Sequence, residues 1–224
     1  MDHRLLRALI VAGLVAVVAI SGTLGNAHPS IGHSHMLAFA DNSSGCCATL
    51  YLLDGDNVSQ DAPAFGPIPA AAKAIAHTAD PIVGLAWAPD GRSIAYLVGR
   101  RVLSGDYNVI ATVDLWRVRI VDGTSDMVAS DVASSPEERE YRLDRAILWI
   151  GGNPLMAQKN YWRPVTREPD AEFRSPDKRF VAAREWGIDS SWICVRPPQH
   201  VSSDSVGPGC FGDGFFTLPV WAPF

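Results

Sequence analysis

The chain has 224 residues, and 19 Lys/Arg against 24 Asp/Glu give a formal net charge of −5 at pH 7. Mild acidity with dispersed basic residues argues against a nucleic-acid partner, and an apolar fraction of 47% excludes a disordered chain. Glycine (19) and proline (16) are both plentiful, as a fold of many short strands and turns requires.

The first element is an address. Met1-Asp-His-Arg4 and Arg7 precede an apolar run from Ala8 to Ile20, after which Ser21 to Ala27 turns small and polar. A charged start, a short apolar core and small residues before a cleavage point predict a secretory signal peptide over 1–27 and an exported protein. Destination could be the periplasm, the cell surface or the medium. Extended to Leu24, the same run nearly reaches the roughly 20 residues of a membrane span. An uncleaved anchor helix is therefore the rival reading, and membrane contact is expected only in that case.

Residues 28–35 read as a flexible tail and 36–224 as the folded domain. Cleavage after Ala27 would make His28 the amino terminus, with His33 and His35 close behind. A terminal amine and neighbouring imidazoles can form a nitrogen-rich Cu(II) site. Pro29 and the β-rich remainder favour a solvated tail instead, and no cofactor is expected.

His35 to Asn42 reads as a strand, Ser43-Ser-Gly45 as a turn, and Ala48 to Leu53 as the returning strand. Asp54-Gly-Asp56 with Asp61 approaches a calcium loop, but Phe65 stands where a bidentate Glu belongs, so a turn is expected. Residues 61–69 form a Pro/Gly-rich connection, and Ala70 to Ala76 fits either one helical turn or an outer strand. Asn42-Ser-Ser44 and Asn57-Val-Ser59 are formal glycosylation sequons.

Leu85-Ala-Trp-Ala-Pro-Asp-Gly-Arg-Ser-Ile-Ala-Tyr-Leu97 is the organising stretch. It predicts strand, tight turn, strand: Leu85 and Trp87 share one face, and Pro89, Asp90 and Gly91 carry the turn chemistry. Val109 to Ile120 predicts a third strand, ended by Asp122-Gly123. Ser134 to Glu140 suggests a short capped helical turn. Ala146 to Ala157 repeats the organising stretch with Gly151-Gly-Asn153 at the turn and Trp149 in the place of Trp87. Phe173 to Ala183 is a degenerate copy retaining Pro176 and Asp177, with Ser191 to Arg196 as its third strand. The chain ends on Val220-Trp221-Ala-Pro-Phe224, the start of one more copy.

Aligned on the turn, the equivalent positions are Ser30, Trp87, Trp149, Arg174 and Trp221. A blade repeat of about 40–50 residues fits most of the intervals. The step of about 25 residues from Trp149 to Arg174 does not, which suggests that both belong to one irregular blade. Val220-Trp221 either latches onto the first blade or begins a blade beyond Phe224; the second reading is favoured, giving a partial or small propeller. Trp162 and Trp186 lie in less regular sequence, where packing is expected.

Cys194 and Cys210 flank a Pro/Gly/Ser-rich loop and are the expected disulfide. Cys46 and Cys47 are adjacent, so at most one pairs easily with a distant partner. Other motifs dissolve on inspection. Gly32-His-Ser-His-Met36 lacks the last glycine and the α/β context of a nucleophile elbow. Ser175-Pro-Asp-Lys178 is a hairpin turn rather than a catalytic Ser-x-x-Lys helix, and Gly207-Pro-Gly-Cys-Phe-Gly212 suits a loop better than a dinucleotide turn. No catalytic residue is assigned.

Trp87 to Tyr96, Ser175-Pro-Asp177 and Trp221-Ala-Pro223 resemble the TolB-like propeller repeat, Trp-Ser-Pro-Asp-Gly-Lys/Arg-x-Ile-Ala-Phe followed by a strand and an Asp-Gly turn. The first copy matches nearly throughout, with Ala88 for Ser, and the others are degenerate. The resemblance implies an all-β fold, a propeller of four-stranded blades numbering about four here. It also implies an exported, non-catalytic binding or scaffold module at the cell envelope, with a protein or other envelope ligand. The alternative it implies is the propeller portion of a prolyl-oligopeptidase-type serine peptidase whose hydrolase domain lies outside this chain.

Overall fold

The structure, a computed structural model, describes residues 35–44, 47–59, 66–104, 107–134, 147–156, 173–186, 190–198, 209–217 and 219–223. The signal-peptide or anchor segment, His28, His33, Cys46, Trp162 and residues 135–146 lie outside them. Among the described residues no helix is long and apolar enough to cross a membrane.

Fourteen strands are described: β1 (Met36–Asp41), β2 (Ala48–Asp54), β3 (Lys73–Thr78), β4 (Ile82–Trp87), β5 (Ser93–Ser104), β6 (Tyr107–Arg119), β7 (Ser125–Ser134), β8 (Ile147–Ile150), β9 (Asn153–Met156), β10 (Phe173–Arg174), β11 (Val181–Trp186), β12 (Ser191–Arg196), β13 (Cys210–Gly214) and β14 (Val220–Trp221). They form three four-stranded sheets, ordered β14-β1-β2-β3, β4-β5-β6-β7 and β10-β11-β12-β13, with β8-β9 as a two-stranded ladder. Every strand pair is antiparallel.

The organising hairpin forms as its residues dictate. Pro89 presets its own φ, and Gly91 takes φ 67°, where an L side chain is strained. The Gly91 N–H donates to the Ala88 carbonyl at 2.9 Å, and the Arg92 N–H donates to the Asp90 carboxylate at 3.0 Å. The β10–β11 turn repeats this scheme: Lys178 N–H to the Ser175 carbonyl at 2.8 Å, Arg179 N–H to the Asp177 carboxylate at 3.2 Å. Lys178 occupies the glycine position at φ 65°. A left-handed lysine costs about 1–2 kcal/mol.

Packing runs from sheet to sheet. Along β1, Ala38 and Ala40 join a core with Leu50, Ile82, Leu85, Trp87, Ile94 and Tyr96, between the first sheet and β4–β7. Leu37 and Phe39, on the other face, join Leu53, Phe180, Ile193, Phe211 and Phe216, between the first sheet and β10–β13. Both faces of β1 are buried, so its sequence is continuously apolar rather than alternating. A third core, Ala95, Leu97, Val113, Leu115 and Ile147 with Trp149 and Met156 against it, seats β8–β9 on the far face of β4–β7.

Several expectations change. Residues 73–78 are an outer strand, ending the choice left open for Ala70 to Ala76. Trp149 and Arg174 do not share one irregular blade: they sit in different sheets, because β8 closes on β9 through Gly151 and Gly152, both at positive φ. Cys210 to Gly212 is not loop but the start of β13, because β12 offers it an unpaired edge. Val220-Trp221 pairs with Ala38 and Leu37, so β14 is the fourth strand of the first sheet.

Candidate binding face and oxidised cluster

One end of the sheets gathers the β1–β2, β3–β4 and β13–β14 connections. Asn42 stitches them together. Its side-chain amide donates to the Ile82 carbonyl at 3.0 Å and its oxygen accepts the Ile82 N–H at 2.9 Å, so a single side chain extends the start of β4 as a strand partner would. The Asn42 N–H donates to the Phe215 carbonyl at 2.7 Å, and the Phe215 N–H donates to the Ser43 hydroxyl at 3.2 Å. Ser43 in turn donates to the Asp41 carboxylate. Thr217 and Ala40 exchange two bonds of 2.9 Å, carrying β14 into register.

That scaffold leaves the Phe215 side chain 53% exposed on a rigidly tied backbone. A large aromatic ring presented this way contributes contact area at little entropic cost, as anchor residues of interfaces do. The same end carries Asp80, which accepts from the Arg101 N–H at 3.4 Å, and the ion pair of Arg100 with Asp114 at 3.1 Å. Arg100 also pairs with Asp131, a residue at φ 50° in a bulged part of β7. Cys47, beside Ser44, is disulfide-bonded.

The repeat-motif residues occupy the opposite end. Trp87 is buried and donates its indole N–H to the Val220 carbonyl at 3.0 Å. Trp221 stacks on Phe180 with ring centroids 6.2 Å apart. Pro89, Asp90, Gly91, Pro176 and Asp177 form turns. His35 lies here, its Nδ1 3.0 Å from the Asp177 carboxylate and its Nε2 3.1 Å from Arg179. Arg179 also grips Asp56 through two contacts, 2.6 and 3.3 Å. Both ring nitrogens of His35 thus face side chains of this chain; of the three histidines considered for copper, only His35 is among the described residues. Burial is the largest influence on Asp177 and raises its pKa, but the Ser175 hydroxyl, the Arg179 N–H and the charges of His35 and Arg179 outweigh it. The carboxyl therefore sits below its ordinary value.

Cys194 and Cys210 are joined by a disulfide, S–S 2.08 Å, directly across β12 and β13. Trp192 packs beside them. The Arg196 guanidinium donates to the sulfurs of Cys210 at 2.8 Å and Cys194 at 3.3 Å and pairs with Glu185 at 3.1 Å. The other Glu185 oxygen accepts from the Trp192 indole at 3.2 Å. Sequence reasoning found the cysteines but missed Arg196 and Glu185. The signal was present in the alternation Trp192, Cys194, Arg196, which puts all three on one face of β12.

The described residues define an all-β chain of antiparallel four-stranded sheets packed face to face. No family model and no curated protein matches the chain. Among solved structures, the crystal structure of TolB from Acinetobacter baumannii is similar over 76% of this chain and 41% of that chain, at 16% identity and a TM-score of 0.30. The chain spans less than half the length of that structure.

Proposed function

We propose that this chain is an exported, non-catalytic binding or scaffold module of the β-propeller kind at the cell envelope, taking a protein partner on the end that carries Phe215. The observation that supports it best is the pairing of β14 with β1. A strand that follows the last sheet and joins the first ties those two sheets together, which fits a propeller, where blades repeat radially. The cysteines fit the export part of this reading, since disulfides persist in oxidising compartments. The exposed Phe215, backed by Ser43 and Asn42, supplies an anchor on that platform.

Export is tested by the intact mass of protein made in an exporting host, which should begin at His28 and be lower by about two protons per disulfide. Binding is tested by photo-crosslinking from a probe at position 213, exposed beside Phe215, in intact cells of the source, with Phe215 kept and with Phe215→Asp. One discrete adduct, lost in Phe215→Asp while the far-UV spectrum is unchanged, is expected. Absence of any adduct, or an adduct indifferent to the substitution, overturns the assignment of this face.

A further inference from the structure

The geometry points to the Cys194–Cys210 disulfide as a redox-responsive bond, opened by a dithiol reductant without loss of the sheet and held reduced as a Cys210 thiolate on Arg196. Three observations lead there. The bond crosses two neighbouring strands that are already paired: Ile193 faces Phe211, Ser191 faces Gly214, and the Val195 N–H donates to the Gly209 carbonyl at 2.9 Å. Opening it therefore leaves the ladder in place. Next, a buried guanidinium is aimed at the sulfurs, closest to Cys210 at 2.8 Å. A neutral disulfide gains little from a full positive charge, whereas a thiolate gains a charge-assisted hydrogen bond. Finally, an opposing group stands beside it: the Glu185 carboxylate lies within 4.8 Å of both sulfurs and shares the same guanidinium.

The chemistry is thiol–disulfide exchange. Both sulfurs are buried, so exchange proceeds through transient fraying of β13, the edge strand of its sheet. One thiolate of a dithiol reductant then attacks the Cys194 sulfur, the S–S bond breaks, and Cys210 leaves as the thiolate paired with Arg196. The second thiol of the reductant, deprotonated, attacks its own sulfur in the mixed disulfide. Cys194 then leaves and takes a proton. The reductant ends as a disulfide, having supplied two electrons. A leaving thiol of low pKa departs faster and makes the oxidised form easier to reduce.

The test uses the full mature chain, reduced with dithiothreitol, with Cys210 alkylation by iodoacetamide followed by mass spectrometry across pH. Cys210 should titrate at least one unit below the ordinary thiol value of about 8.5. Glu185→Gln, which leaves Arg196 in place, should lower it further, and Arg196→Met should return it to the ordinary range or above. In glutathione buffers the wild-type bond should be roughly tenfold easier to reduce than that of Arg196→Met, as one pKa unit implies. Loss of the β-sheet circular dichroism on reduction, or a wild-type Cys210 titrating at or above about 8.5 and indifferent to Glu185→Gln, overturns the proposal.

Discussion

The indole N–H of Trp87 donates to the carbonyl of Val220 at 3.0 Å, across 133 residues of sequence. Trp87 closes the strand β4 of the organising hairpin, and Val220 opens the terminal strand that completes the first sheet. One hydrogen bond thus ties the second sheet to the strand that latches the first. Trp87→Phe keeps most of the ring and removes the donor, leaving the Val220 carbonyl without this partner. We expect a loss of about 1 kcal/mol, read from urea unfolding followed by circular dichroism. Trp87→Ala adds a cavity among Leu85, Ile94 and Ala222 and should cost about 3–5 kcal/mol.

Asn42 acts as a side-chain strand. Replacing it with Ala strips both partners from the Ile82 backbone, which is buried at the start of β4. Each unpaired buried amide group costs about 1–3 kcal/mol. Asn42→Asp keeps the acceptor for the Ile82 N–H but turns a carboxylate oxygen toward the Ile82 carbonyl, so its loss should shrink at acid pH, where a protonated carboxyl can donate as the amide does. A loss in guanidinium unfolding that does not change with pH would contradict the donor's part.

Gly212 sits at φ 82°, and a Cβ there would overlap the Phe216 ring. Both the backbone conformation and the space require glycine. Gly212→Ala should destabilise by more than the roughly 1 kcal/mol that a positive φ alone costs an L residue. Trimming the obstacle in the double variant Gly212→Ala/Phe216→Leu should recover part of the strain, so the two losses should be less than additive. Strict additivity in thermal unfolding would contradict this contact.

Asp177 carries a lowered pKa in the folded chain. Its ionised form therefore adds stability that is fully present above the ordinary aspartate value of about 3.9 and is lost as pH falls through the lower folded value. Asp177→Asn removes that dependence. Between about pH 5 and pH 3 the wild type should lose more stability than the variant, with the gap closing at the acid end. Parallel pH profiles would remove Asp177 from the account of the His35–Arg179 seam.

Much of the strand pattern was legible residue by residue. Pro89-Asp-Gly91 and Pro176-Asp177 announce their turns because proline and glycine restrict or release φ locally, and a carboxylate two residues back can accept the returning N–H. Leu85, Trp87, Ile94 and Tyr96 announce a shared face because strand periodicity is two. Cys194 and Cys210 announce a pairing across a short loop. The all-β class, the hairpins and this disulfide follow from such short-range rules.

The sheet partners do not. Whether β8 joins β10, or β14 joins β1, depends on which buried faces find each other, and no local period encodes a contact between residue 37 and residue 221. Residues 73–78 were ambiguous for the same reason: Lys-Ala-Ile-Ala-His-Thr has no decisive period, and the exposed edge of β2 made it a strand. Asn42, Phe215, Arg196 and Glu185 were invisible as a set because their chemistry comes from neighbours brought by other strands. Which segments extend and where they turn follows from the residues themselves, since those depend on φ and on side-chain alternation. What each edge and face is pressed against emerges with folding, because that balance of burial and hydrogen bonding is struck across the whole chain.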